Sequence, residues 1–84
     1  MPDIISMEQC RAARALLDWT QEELANAANL SLSTVRDFEK GRRTPIPNNM
    51  LMLKQVFEDE GLVFTYHEEE IPLGVEFHYE RLRI

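Results

Sequence analysis

The charged side chains of this 84-residue chain are divided unevenly along its length, and the basic ones could bind an anionic partner. Residues 10–54 hold seven basic and five acidic side chains, which leaves that segment at +2. The remaining residues hold two arginines and ten acidic side chains, which leaves them at −8. The total of −6 argues by itself against nucleic acid, but this asymmetry favours separate roles for separate surfaces.

The other reactive residue types do not form a recognisable catalytic or metal site. Cys10 is the only cysteine, and we expect it to be a small buried hydrophobic residue rather than a thiol sensor. His67 and His78 are not at a ligand spacing with Glu68–Glu70, which favours a solvated acidic loop. Without a nucleophile–base pair, paired catalytic carboxylates or a glycine-rich phosphate loop, the sequence predicts no enzyme, no cofactor and no metal.

Length and composition indicate one small globular protein. The hydrophobic share of 44% and the charged share of 29% are ordinary for such a chain. No apolar run approaches the ~18 residues of a membrane span, and the first residues lack the basic and apolar regions of a secretory signal. We therefore expect a cytoplasmic protein that does not contact membranes. Its core is small enough for oligomerisation to be a useful supplement.

Four helices are predicted in the first 60 residues. Ser6 can cap the first helix, and Thr20 with Glu23 forms a capping box at the start of the second. Asn29, which tolerates the left-handed conformation, ends the second helix, and Ser31 caps the third. Periodicity and these signals predict helices over about residues 7–18, 20–29, 31–41 and 48–60.

The last third of the sequence has the period of β-strands. Val63–Tyr66 and Val75–Tyr79 are predicted strands, and Glu68–Gly74 is predicted to be a loop between them. A lone hairpin is marginal in water, so we expect these strands to pair with each other or with those of a second copy. The alternative is a tail that folds back on its own chain. The predicted dimer interface consists of Val63, Phe64, Tyr66, Val75, Phe77 and Tyr79, with Val75, Phe77 and Tyr79 facing the helices.

Two short helices joined by a short turn, the second polar on its outer face, describe a helix-turn-helix. The segment from Trp19 to Pro45 resembles the phage-repressor-like helix-turn-helix family of xenobiotic-response-element type. It carries Trp-Thr-Gln-Glu-Glu-Leu-Ala from Trp19, Val-Arg-Asp-Phe-Glu-Lys-Gly ending at Gly41, and a basic pair before Pro45. It departs from the family at Asn29, where glycine is frequent.

The resemblance implies a mainly α fold: a four- to five-helix phage-repressor-like bundle with a C-terminal pair of short β-strands. Residues 1–62 would form the DNA-binding domain, and residues 63–84 a β tail for dimerisation. The resemblance also implies an ion pair between Arg14 and Glu39, which joins the first helix to the end of the third helix, the one that would read the DNA.

The resemblance further implies which residues contact DNA. Arg36 would donate two hydrogen bonds to guanine, and Leu32 would contact a thymine methyl group. The positions that read bases are Ser31, Leu32, Ser33, Arg36 and Asp37. The positions that contact phosphates are Gln21, Thr34, Lys40, Arg42 and Arg43. The alternatives are a surface ion pair for Arg36, a merely exposed Asp37 and a solvated loop at Arg42 and Arg43.

Two functions follow from the resemblance. The first is a repressor-like transcriptional regulator that binds a pseudo-palindromic operator in double-stranded DNA as a homodimer. The second is the antitoxin of a toxin–antitoxin pair, which would bind a basic toxin through its acidic tail and regulate its own operon.

Overall fold

A computed structural model describes residues 4–78 of the chain. Within this range four α-helices precede a β-hairpin, and a 3-10 turn over Glu68–Glu70 joins the two strands. The helices are α1 (Met7–Leu17), α2 (Gln21–Ala28), α3 (Leu32–Glu39) and α4 (Pro47–Asp59), and the strands are β1 (Leu62–His67) and β2 (Ile71–Phe77). The predicted fold class is confirmed.

Side chains at the helix ends explain why the helices begin and end where they do. At the start of α2, Thr20 Oγ1 accepts from the Glu23 amide at 3.0 Å, and Glu23 Oε1 accepts from the Thr20 amide at 2.9 Å. Asn29 ends α2 with a left-handed φ of 57°, and Ser31 caps α3 directly afterwards. The turn between α2 and α3 is therefore short and fixed by local hydrogen bonds.

One hydrophobic core joins the helices to the hairpin. The rings of Trp19 and Phe57 are 6.1 Å apart, and those of Phe57 and Phe64 are 5.9 Å apart in an edge-to-face arrangement. Leu62 and Phe64 are buried in the same cluster as the helical residues. Hence the hairpin packs back on its own helices and belongs to the same core.

The two strands pair antiparallel, with Leu62 opposite Phe77 and Phe64 opposite Val75. The predicted loop over Glu68–Gly74 is correct only for the turn at Glu68–Glu70 and wrong beyond it, because β2 already begins at Ile71 and includes Pro72. Proline is tolerated there since each strand of a two-stranded sheet has a free edge that needs no ladder hydrogen bond.

The faces of β2 are confirmed within the described residues. Val75 and Phe77 pack against the helical core, while Glu76 and His78 are exposed. Tyr79, which was predicted to continue this strand, lies outside the described residues.

Candidate nucleic-acid interface

Helix α3 has one buried and one accessible face. Val35, Phe38 and Glu39 are buried against the rest of the protein. The opposite face consists of side chains that are exposed or half-buried: Leu32, Ser33, Arg36 and Asp37. These positions follow the helical spacing i, i+1, i+4 and i+5, so they share one side of the helix. The structure thus brings together four of the five residues predicted to read bases.

The fifth of these residues, Ser31, lies at the N-terminus of α3 within a cluster of hydroxyl groups. Its Oγ accepts from the Thr34 amide at 3.2 Å and lies 2.8 Å from Thr34 Oγ1 and 3.2 Å from Ser33 Oγ. The first amides of a helix carry partial positive charge and lack intrahelical partners. An exposed helix start with several hydroxyl groups can therefore donate to an anionic DNA backbone.

The loop after α3 returns a basic side chain to the helix. Gly41 has a φ of +76°, its amide donates to the Phe38 carbonyl, and the Arg42 amide donates to the Asp37 carbonyl at 2.8 Å. These two bonds form a Schellman motif, whose left-handed position suits glycine. The motif turns the chain so that Arg43 lies beside α3.

Arg43 contacts two predicted DNA-binding residues on α3. Its Nη1 donates to Thr34 Oγ1 at 3.1 Å, and its Nη2 is 3.8 Å from Asp37 Oδ2. Arg43 therefore lies next to the accessible face of α3 and partly balances the charge of Asp37. Lys40 and Arg42 are exposed on the same turn, and among residues 4–78 their side chains form no hydrogen bond or ion pair.

Beneath this surface, the buried carboxylate of Glu39 accepts hydrogen bonds from three side chains, two on α1 and one on α2. Arg14 donates from Nε to Oε2 and from Nη2 to Oε1, both at 2.7 Å. Cys10 Sγ donates to Oε2 at 3.3 Å, and Gln21 Nε2 donates to Oε1 at 3.0 Å. The side chain of Glu39 is only 2% exposed and that of Arg14 21%. The Arg14–Glu39 pair therefore joins α1 to the end of α3.

Burial, the charge of Glu39 and the hydrogen bonds together set the charge states of this cluster. Burial alone would raise the pKa of Glu39, but the hydrogen bonds from Arg14, Gln21 and Cys10 hold it below its ordinary value. Burial raises the pKa of the Cys10 thiol, and the nearby Glu39 charge raises it further. The carboxylate is therefore ionised and the thiol neutral near pH 7, so Cys10 acts as a donor and not as a reactive thiolate.

Four of the residues predicted to form a dimer interface face the protein's own core. Phe64 is 6% exposed, and Tyr66, Val75 and Phe77 pack against the same cluster. Tyr66 Oη also donates to the Ile4 carbonyl at 2.7 Å. Val63 is half-buried, and Tyr79 lies outside the described residues. Dimerisation through the hairpin stays a prediction. Because these side chains face the core, the interface would have to be formed by the strand edges or by the outer surface of the sheet.

Among the hydrogen bonds that the sequence does not predict are those from Gln9 and Arg11, which join α1 to the hairpin and to α3. Gln9 Nε2 donates to the carbonyl oxygens of Thr65 at 3.0 Å and Gly74 at 2.8 Å, which ties α1 to both strands. Arg11 Nη1 donates to the Glu39 carbonyl oxygen. The spacing Ser6-x-x-Gln9 is a capping-box signal, and the box is formed, but nothing in the sequence points from Gln9 to strands so far along the chain.

A helix-turn-helix family model matches residues 11–57, which is more than half of the chain. No curated protein matches the chain. Among residues 4–78, the structure contains no helix both long and apolar enough to cross a membrane. The matched range includes α2, the turn at Asn29, α3 and its basic loop, and such domains bind DNA. With this match and this geometry, the chain belongs to the Cro/C1-type helix-turn-helix family of DNA-binding proteins.

Proposed function

We propose that this protein is a sequence-specific, cytoplasmic transcriptional regulator of repressor type that binds a pseudo-palindromic operator as a homodimer. The observation that carries the proposal is the accessible face of α3, which presents Ser33, Arg36 and Asp37, with the basic side chain of Arg43 beside Asp37. An α-helix fits the major groove, and side chains at its N-terminal end reach base edges. The domain supplies no enzymatic chemistry, as is typical of its family.

Each accessible group has a role that fits its chemistry. Ser31, Leu32, Ser33, Arg36 and Asp37 would contact bases, with Arg36 suited to guanine and Asp37 to the amino group of cytosine. Gln21, Thr34, Lys40, Arg42 and Arg43 would contact phosphates. Contacts of the second kind set the position of the domain on the duplex without reading its sequence.

Selection of bound duplexes from a randomised pool, followed by titration of variants, tests this assignment. Arg36→Ala should cost about 1–3 kcal/mol of binding free energy and relax the preference at one operator position. Arg43→Ala should weaken binding to all duplexes alike. If about six phosphates are neutralised per dimer, log affinity should fall with log salt at a slope near −5. A salt slope near zero, or no selected sequence, would contradict the proposal.

The proposed dimerisation element is the tail of residues 63–84, which contains all of the hairpin except Leu62, the first residue of β1. The two strands of the hairpin form a sheet of their own, so both outer edges can accept another strand. Ile71 and Leu73 of β2 are 55% and 65% exposed, so this strand supplies apolar side chains for a partner to cover. A twofold dimer would place two α3 helices about one DNA turn, ~34 Å, apart.

A point substitution tests the dimer better than truncation, because removing the tail would also remove Phe64 from the core. Leu73→Lys should convert the dimer to a monomer in light scattering and weaken operator binding. Leu16→Lys is the matched control, since Leu16 is an exposed leucine on α1. A Leu73→Lys protein that stays dimeric with unchanged operator affinity would contradict this use of the hairpin.

The second candidate is an antitoxin. Glu68, Glu69 and Glu76 are exposed on the hairpin, and they would suit a basic protein partner. A small basic protein that co-purifies with the chain, encoded by the adjacent gene, would favour this function over a stand-alone regulator.

A further inference from the structure

Gln21 lies at the first position of α2, and its side-chain amide has a fixed orientation. Its Nε2 donates to Glu39 Oε1 at 3.0 Å. An ionised carboxylate only accepts hydrogen bonds, so the nitrogen of the amide, and not its oxygen, must face Glu39. This is the one hydrogen bond of the Gln21 side chain within residues 4–78. The nitrogen therefore retains a second N–H group for another acceptor.

Glu39 is itself held too firmly to follow Gln21. Its residue is 3% exposed, two N–H groups of Arg14 bind its oxygens at 2.7 Å, and Cys10 donates to Oε2. Gln21, by contrast, is half-buried, so its amide can be oriented by Glu39 and still contact a ligand.

We infer that Glu39 is a positioning residue for DNA binding: it fixes the Gln21 amide so that the second N–H group donates to a backbone phosphate. This inference rests on the proposed function, since it concerns a phosphate contact assigned there. Glu39 itself, being buried, does not touch DNA. The affinity for DNA then depends on the buried carboxylate of Glu39, which acts by orienting the uncharged side chain of Gln21.

We expect Glu39→Gln to change the affinity for DNA in the direction opposite to the one that net charge alone predicts. Replacing an acidic residue by a neutral one reduces repulsion of the DNA backbone, so Glu39→Gln should slightly raise affinity if only net charge matters. In the Glu39→Gln protein, however, residue 39 can donate as well as accept, and the Gln21 amide can turn its oxygen inward or outward. Affinity should therefore fall. Glu22→Gln is the matched control, because Glu22 is exposed in the same first turn of α2 and loses the same charge.

A double-mutant cycle measures whether Glu39 acts through Gln21. The selected duplex is titrated with the full chain at a temperature where circular dichroism shows every variant folded. Hydrogen bonds to charged groups contribute enough that Gln21→Ala and Glu39→Gln should each weaken binding about tenfold. The double variant should also be weakened only about tenfold if the two act together. In an Arg36→Ala background, Glu39→Gln should retain its full effect, and Glu22→Gln should not weaken binding in any background.

Three results would overturn the inference: losses that multiply to about a hundredfold in the double variant, unchanged affinity after Glu39→Gln, or unchanged affinity after Gln21→Ala. A wild-type protein that binds no duplex would instead contradict the proposed function.

If Glu39→Gln does not fold, hydrogen exchange of side-chain amides in the wild-type protein tests whether Glu39 holds the Gln21 amide. One N–H of Gln21 should exchange more slowly than those of Gln55, which is exposed on α4. Equal exchange rates would also overturn the inference.

Discussion

The helical segment, residues 4–61, and the hairpin, residues 62–78, share one core but are held by different kinds of interaction. The ends of α2 are fixed by neighbours along the chain, such as Thr20 with Glu23. The hairpin depends on partners far away in sequence, since Gln9 donates to carbonyls 56 and 65 positions later. Local bonds define where a helix begins, whereas remote bonds define what a strand packs against. The difference predicts that the proposed DNA-binding surface and the hairpin can be perturbed separately.

The largest effect is expected from a remote contact of the helical segment, the Arg14–Glu39 ion pair. Arg14→Ala would leave an ionised carboxylate buried with too few donors, so it should cost about 3–5 kcal/mol of unfolding free energy. A loss of that size approaches the total stability of a domain this small. Urea denaturation measures it, with the exposed Lys40→Ala as the control. A midpoint no lower than that of Lys40→Ala would show that the pair does not hold α1 to α3.

The pH dependence of the same pair provides a second measurement. Because the pKa of Glu39 is lower in the folded protein than its ordinary value, the unfolded chain binds the proton more readily. The ion pair therefore stabilises the fold above the ordinary carboxyl pKa of about 4.3, and this stabilisation is lost as pH falls below it. The difference in unfolding free energy between wild type and Arg14→Ala should be largest near pH 7 and shrink toward pH 3. A difference independent of pH would contradict the ionic origin of the effect.

Substitutions in the hairpin, for which we expect smaller losses of unfolding free energy, test whether the hairpin is part of the core. Phe64 is 6% exposed and packs edge to face against Phe57, so Phe64→Ala should cost about 3 kcal/mol through lost burial and a cavity. Val63, next to it, points to the other face of the strand and is half-buried, so Val63→Ala should cost under about 1 kcal/mol. Thermal unfolding of the two variants gives the comparison. Equal losses would mean that the hairpin packs only loosely on the helices.

The same contrast explains which features the sequence could predict. The caps at Thr20 and Ser31 and the left-handed Asn29 depend on residues within a few positions of one another, so their spacing was sufficient. The residues on the accessible face of α3 were predicted from the resemblance to the helix-turn-helix family. The start of β2 at Ile71 was missed because Pro72 argues locally against a strand, and only pairing with β1 permits it. The bonds from Gln9 to the hairpin and from Gln21 to Glu39 were missed for a related reason. They need the packed fold, which no local pattern contains.

The smallest changes in unfolding free energy are expected at the two turns, because each region has a turn residue with a left-handed backbone. Asn29 in the helix-turn-helix has a φ of 57°, and Glu69 in the hairpin turn has a φ of 63°. Asparagine tolerates this conformation because its short side chain can bond to the local backbone, whereas glutamate pays a larger steric cost. Glu69→Asn should therefore raise the unfolding free energy by up to about 1 kcal/mol, while Asn29→Gly should change it by only a few tenths. Glu68→Asn, which removes the same charge at a neighbouring position without the left-handed backbone, is the control. If Glu68→Asn stabilises the protein as much as Glu69→Asn, the gain comes from relieving repulsion among the glutamates, and backbone strain in the hairpin turn is not its source.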